Sequence, residues 1–405
     1  MTDVFRGPEA ETEAEEFPLP PPGCVGPPVE YRRMRAECPV AQVRLPFDAT
    51  GWFVTRYDDV RDLLADRRLV RPPVDGWPAR PEGADADGEP LLVTMMELEG
   101  PDHLALRAAV SEAFSPREIR RRRPAIRRQA ESILDEFAGG GRAGDLVTGF
   151  AEPFPLLVVC ELAGLPYAER HDFLAPADAA LGALIAQDER ARVAAWLHEY
   201  MLEILERKRR EPGDDVLSGL VRRRDAGELS TRSVVAFGLS MLVAGYRTTT
   251  MFLANAVHQL LSRPAEFARL RDDRTLLPRA VEELLRFLPV MNGPVILLAT
   301  EDIQVRGRHI RAGEAVIPVI ASANLDETVF ERADELDLGR TDNPHVAFGR
   351  GVHNCFGAHL ARAELEVGLE ALLDRFPGLR LSDRELPRWD DDSPAKSPLS
   401  LPVEW

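Results

Sequence analysis

The sequence is short of several things, and each shortage excludes a class of protein. It has only four cysteines in 405 residues (Cys24, Cys38, Cys160 and Cys355), spaced neither as a disulfide framework nor as a metal-binding set. No apolar run reaches the length needed to cross a bilayer. No basic N-terminal stretch is followed by an apolar one, so no secretory signal is expected, and the chain should be soluble and cytoplasmic. Positive charge is in deficit: the net charge is −17, which argues against nucleic acid as a partner. The middle of the chain contains neither a linker nor an internal repeat.

What is present is a large apolar fraction, 45%, enough for a sizeable core. Residues 1–25 are rich in acid and proline and should form a flexible arm. Residues 26–405 are expected to be one domain. Helical patterns dominate after about residue 100, with shorter β patterns near 40–57, 290–320 and the C-terminus. Cys160 falls in an apolar run and reads as core.

The most informative stretch runs from Phe348 to Gly357 and holds Cys355 in a glycine-punctuated loop, followed by apolar residues at helical spacing. A sulfur delivered to a helix N-terminus is stabilised as thiolate and can serve as nucleophile, redox switch or metal ligand. A zinc site from His353, Cys355 and His359 lacks an evident fourth ligand. The loop resembles the heme-binding loop of the cytochrome P-450 family, Phe-Gly-x-Gly-x-His-x-Cys-x-Gly. Phe348, Gly349, Gly351, His353, Cys355 and Gly357 match position by position. The resemblance implies heme b held by Cys355 as axial iron ligand, a thiolate that favours O–O cleavage. It also implies Phe348 packed beside the sulfur, glycines that let the backbone pass close under the macrocycle, and His353 at a propionate.

Four further segments extend the resemblance over roughly residues 30 to 405. Glu283 and Arg286 match Glu-x-x-Arg; three apart on a helix, they can pair, and Arg340 resembles their usual third partner. His103 and Arg107 match His-x-x-x-Arg and would reach propionates. Trp52 to Val60 looks like the family's early strand turning into a helix. Thr231 to Ser262 resembles the long helix over the oxygen side; roughly 32 residues would span about 48 Å. At its centre, Ala244 and Gly245 would leave room for dioxygen, and the Thr248 hydroxyl would help deliver protons.

Two departures stand out. The acid expected before Thr248 is Arg247, which cannot relay a proton because it stays charged. Arg247 could turn away from the pocket and pair with an acid such as Asp188 or Glu189, with Thr248 and water still delivering protons; it could bind a substrate carboxylate; or it could mark chemistry that needs no ordinary relay, such as peroxide use or oxidative coupling. The second departure is Leu297, where the family often places a propionate-directed arginine. Phe356 replaces a common leucine and reads as packing.

The fold implied is mainly α with small sheets, the P-450 fold with its long helix over the heme. The activity implied is oxidation of a small organic, secondary-metabolite substrate with dioxygen and electrons from a ferredoxin and ferredoxin reductase, by a monomer. A non-catalytic heme and ligand-binding module is the alternative from another class. Pocket contributions are expected from Val74–Met95, from 168–200, from Met241 and the helix beyond it, and from Val290, Met291, Asn292 and Val295. Arg117, Arg120 to Arg123, Arg350 and Arg362 could form a positive face for an acidic ferredoxin.

Overall fold

A computed structural model of the chain describes residues 15–16, 26–45, 49–71, 93–181, 187–289, 295–390 and 396–405. Of the first 25 residues only Glu15–Glu16 is described, as a strand running parallel to Val40–Arg44. The expected pocket residues Val290, Met291 and Asn292, and residues 74–92 of the expected loop, lie outside the described set.

The architecture is helical with small sheets. The largest sheet has six strands in the order Glu15–Glu16, Val40–Arg44, Thr50–Val54, Ala315–Pro318, Leu297–Ala299, Leu69–Val70. Trp52 to Val54 does form a strand, and Tyr57–Leu63 the helix after it. Asp326 accepts the Tyr57 N–H at that helix start, 2.9 Å away. Short strands also pair near the C-terminus, Arg380–Leu381 against Pro402–Glu404 and Arg388–Trp389 against Pro398–Ser400. Strand existence was legible because apolar residues alternate there; partner choice was not, since Thr50–Val54 pairs with residues more than 260 positions away.

The main core gathers the helices Pro116–Gly139, Pro153–Ala163, Thr231–Ser240, Arg247–Leu261, Leu277–Phe287 and Ala358–Arg375. Cys160 is buried in it, as expected, and burial pushes its thiol up to about 12. Pro116–Gly139 is capped by the Ser115 side chain, which accepts from the Glu118 N–H. Its buried face, Ile119, Ile126, Ala130, Ile133 and Leu134, recurs at helical spacing. The long 231–262 helix forms with one alteration: Thr231–Ser240 passes into a π-helical turn, Met241–Gly245, before Arg247–Leu261. Such wide turns inside helices recur at functional sites, and no hydrophobic periodicity announces them.

A buried ionic cluster ties the helical body to the loops beneath. Glu283 Oε1 lies 2.7 Å from Arg286 Nη2 and Oε2 lies 2.9 Å from Arg340 Nε, with both side chains of the first pair fully buried. Glu283 also accepts from the Asp337 N–H and Asn343 Nδ2. Arg286 donates onward to the carbonyls of Asn324, Ala333 and Glu335. The expected three-residue partnership is therefore present, and it locks three loop segments to one helix.

Candidate active site: the Cys355 loop and the helix Arg247–Leu261

The loop is held by its own backbone. Cys355 N–H donates to the Phe348 carbonyl at 2.9 Å, closing the loop at its base. Asn354 Nδ2 donates to the carbonyls of Phe348 and Gly349 at 3.2 and 3.1 Å. Gly349 and Gly351 have φ of +69° and +78°, where an L side chain is strained. Gly351 has a second constraint: a Cβ there would sit 2.5 Å from the Leu64 carbonyl oxygen. At Gly351 the loop also passes close to the Leu64–Ala65 backbone, a constraint the loop pattern did not announce.

Cys355 as a residue is exposed, while protein closes around its thiol. Burial raises its thiol pKa, opposed by the Gly357 N–H and by the Arg107 and Arg362 guanidiniums. The helix Ala358–Arg375 begins three residues later, as expected. Phe348 packs against the core with the Arg362 guanidinium 4.5 Å over its ring. Phe356 packs edge-on against Phe114 at 4.9 Å, consistent with a packing role.

His103, buried in the Gly100–Val110 helix, stacks on His353 with ring centroids 4.4 Å apart. His353 Nε2 donates to Glu99 Oε1 at 3.0 Å, and Glu99 also accepts the Arg71 N–H at 2.7 Å. Burial, helped by the nearby His353 and Arg107, lowers His103 to about 4, so its ring is neutral at pH 7. Arg107 Nη1 donates to the Asn354 carbonyl at 2.8 Å, fastening this helix to the cysteine loop. His103, Arg107, His353 and Cys355 thus converge from positions 250 residues apart in sequence.

On the opposite helix, the Thr248 hydroxyl donates to the Ala244 carbonyl within the π-helical turn, 3.0 Å away. A Cβ at Gly245 would meet nothing closer than 3.5 Å, so protein packing does not itself require the glycine. Met241 is buried in the same turn, while Val295 is half-buried beside the strand Leu297–Ala299. Arg247 does pair with an acid, but with a different one from those expected: its Nε lies 3.5 Å from Asp178 Oδ1, on the helix Arg170–Leu181. Asp178 also accepts from the buried Tyr246 hydroxyl at 3.1 Å. Glu189 is exposed, and the Asp188 side chain lies outside the described residues. Helix–helix packing brings Asp178 to Arg247 across 69 positions, which the local sequence could not reveal.

Sequence reading also passed over Glu364. It lies on the helix that follows Cys355, is 1% exposed, bonds to Thr249, and its Oε1 has no partner. Burial holds this carboxyl well above its usual range, opposed by the bond from Thr249. Its only sequence signal is a carboxylate placed on the apolar face of a helix between Ala363 and Leu365.

The sequence model described as Cytochrome P450 matches residues 170–393. The chain belongs to the cytochrome P450 family. It is 39% identical to nocardicin C N-oxygenase of Nocardia uniformis subsp. tsuyamanensis, over 97% of this chain and 99% of that one. It is 40% identical to the mycinamicin IV hydroxylase/epoxidase of Micromonospora griseorubida, over 93% and 94% of the two chains. Among solved structures, HinD with NMFT and NO superposes with a TM-score of 0.88 at 37% identity, covering 97% of this chain and 99% of that one. The protein is an oxidoreductase, a P450 monooxygenase, and heme b is the cofactor of these enzymes.

The residues present fit that group. A loop-held sulfur receives a backbone N–H and sits among guanidiniums, the donor set a thiolate ligand needs. Cys355 would hold the iron, and His103, Arg107 and His353 would bind the propionates. When bound, the heme supplies the oxygen-activating chemistry. Thr248 would orient water at its hydroxyl, and Glu364 would hold a proton beside Thr249. Leu297 is buried in an apolar cluster with Val40, Val54 and Val316 and offers no charge. Among the described residues, no helix is long and apolar enough to cross a membrane.

Proposed function

We propose that this P450 oxidises a small organic, secondary-metabolite substrate with dioxygen and two electrons, using Cys355 as the iron ligand. The observation that carries the reading is the closed loop around Cys355: its N–H on the Phe348 carbonyl, its sulfur facing the Gly357 N–H, and Arg107 joining it to the His103 helix. The relatives named above act on nocardicin C and mycinamicin IV by oxygen insertion, and the same class of chemistry is proposed here. Met241 and Val295 are assigned to the substrate side.

In this reading Arg247 serves the protein rather than the substrate. Its bond to Asp178 favours an inward structural pairing over capture of a substrate carboxylate. The proton path then runs through Thr248 and water, with Glu364 as a buried store. Electrons are assigned to an acidic ferredoxin and its reductase. The docking face is smaller than the arginine run suggested. Arg121 and Arg122 pair with Glu118, Arg123 with Glu366, Arg127 with Glu131, Glu370 and Asp374, and Arg362 with Glu282. Arg117, Arg120, Arg128 and Arg350 are exposed and, among the described residues, make no ion pair; the docking role falls on them. A cytoplasmic monomer and one domain over 26–405 complete the proposal.

The test is spectral and then stoichiometric. The dithionite-reduced protein under carbon monoxide should show the strongly red-shifted Soret band of thiolate ligation, absent in Cys355→His. With ferredoxin and reductase supplied, NADPH consumption should match product for an accepted substrate. A heme-loaded protein without the shifted band would overturn the thiolate assignment. Ligand-induced spectral shifts with no product under every redox supply would favour a binding module.

A further inference from the structure

We infer that Arg71 is a heme-propionate ligand that substitutes for the arginine missing at position 297. The inference rests on the heme-thiolate reading above and adds a residue to it. The strand Leu69–Val70 pairs antiparallel with Leu297–Ala299, Leu69 opposite Ala299 and Val70 opposite Leu298. The next step of that register sets Arg71 opposite Leu297. Residues directly opposite on antiparallel strands point to the same face of the sheet, with Cβ atoms about 5 Å apart. A guanidinium on Arg71 can therefore serve the face that a side chain at 297 would serve, and its long stem covers the offset.

The surroundings fit this role. Arg71 is not a surface side chain: its Nε is buried and has no hydrogen-bond partner. Glu97 and Glu99 are near enough to favour its charge, yet among the described residues neither makes an ion pair with it. Its own backbone N–H binds Glu99, the carboxylate that also holds His353, and His353 stacks on His103. Arg71 thus stands in the cluster where His103, Arg107 and His353 converge. Two propionates bring two negative charges. Leu297 supplies none of the balance, and Arg107 and Arg71 are the arginines of the cluster. A planar guanidinium with free donors is the group best matched to a carboxylate.

The experiment compares heme loss from the wild type, Arg71→Ala, Arg71→Gln and the double variant Arg71→Ala with Leu297→Arg. Each is reconstituted with heme b and, separately, with heme whose two propionates are methyl esters, and transfer to excess apomyoglobin is timed. The expected result is that Arg71→Ala and Arg71→Gln speed loss of heme b at least tenfold. Loss of the ester should change less than twofold, and Leu297→Arg should recover most of the heme b retention. Equal acceleration for both hemes would make Arg71 a structural residue, and no acceleration for heme b would remove it from the cofactor site; either overturns the inference. Arg71→Gln keeps the stem and a donor, so it preserves the comparison should the alanine variant fail to fold. The carbon monoxide band should persist in all variants; its absence from the wild type would instead refute the thiolate reading.

Discussion

Replacing Glu283 by alanine should cost the protein about 3 kcal/mol of stability. Glu283 receives two bonds from Arg286 at 2.7 and 2.8 Å, one from Arg340 at 2.9 Å, one from the Asp337 N–H at 2.9 Å and one from Asn343 at 3.2 Å. Removing one partner of a buried pair costs about 3–5 kcal/mol, because the other charge is stranded without water. Two features set the lower end. Arg286 keeps three backbone carbonyls as acceptors, and Arg340 keeps those of Glu331 and Arg332. Against a total stability of about 5–15 kcal/mol, such a loss is severe. Glu283→Gln keeps the shape and a carbonyl acceptor and should fall between. Urea unfolding followed by helical circular dichroism reads the difference, and heme content on purification should fall in the same order. A Glu283→Ala protein within about 0.5 kcal/mol of wild type would refute the claim that this cluster holds the loops to the helical body.

Three further outcomes are expected. Thr248→Ala removes the hydroxyl above the π-helical turn, so NADPH consumption should continue while product per NADPH falls severalfold and hydrogen peroxide rises; unchanged coupling would remove Thr248 from the proton path. Asp178→Asn strands Arg247 near the substrate side, so affinity for carboxylate-bearing ligands, read by spectral titration, should rise relative to their esters; equal affinities would show that Arg247 does not reach the pocket even when released. His103 gives a pH signature in the apoprotein. Its folded pKa of about 4 lies below the usual 6.5, so between these values the unfolded chain binds a proton that the folded chain does not. Stability should therefore fall as pH drops from 6.5 towards 4, by at most about 1.4 kcal/mol per pH unit for one proton. His103→Gln should flatten that part of the curve, measured by urea midpoints at pH 7 and 5; parallel curves would count against the depressed pKa.

Local sequence carried the chemistry-bearing loop, the helical body and the one-turn spacing of Glu283 and Arg286, whose burial only the family resemblance implied. Each of these rests on short-range rules: glycines at fixed offsets, residues one turn apart, apolar positions at helical period. The family resemblance turned these into a heme-thiolate expectation before any contact was known. Tertiary structure decided what local spacing cannot encode. It chose Asp178 for Arg247, because packing of the Arg170–Leu181 helix against the π-helical turn brings them together. It brought Gly351 to a close backbone crossing at Leu64, paired Arg123 with Glu366 of another helix, and buried the Glu364 carboxyl beside Thr249. Strand register set Arg71 opposite Leu297 across more than 220 residues of chain. Charge pairing and burial depend on which surfaces meet, and that is fixed by packing of the whole core rather than by any window of sequence.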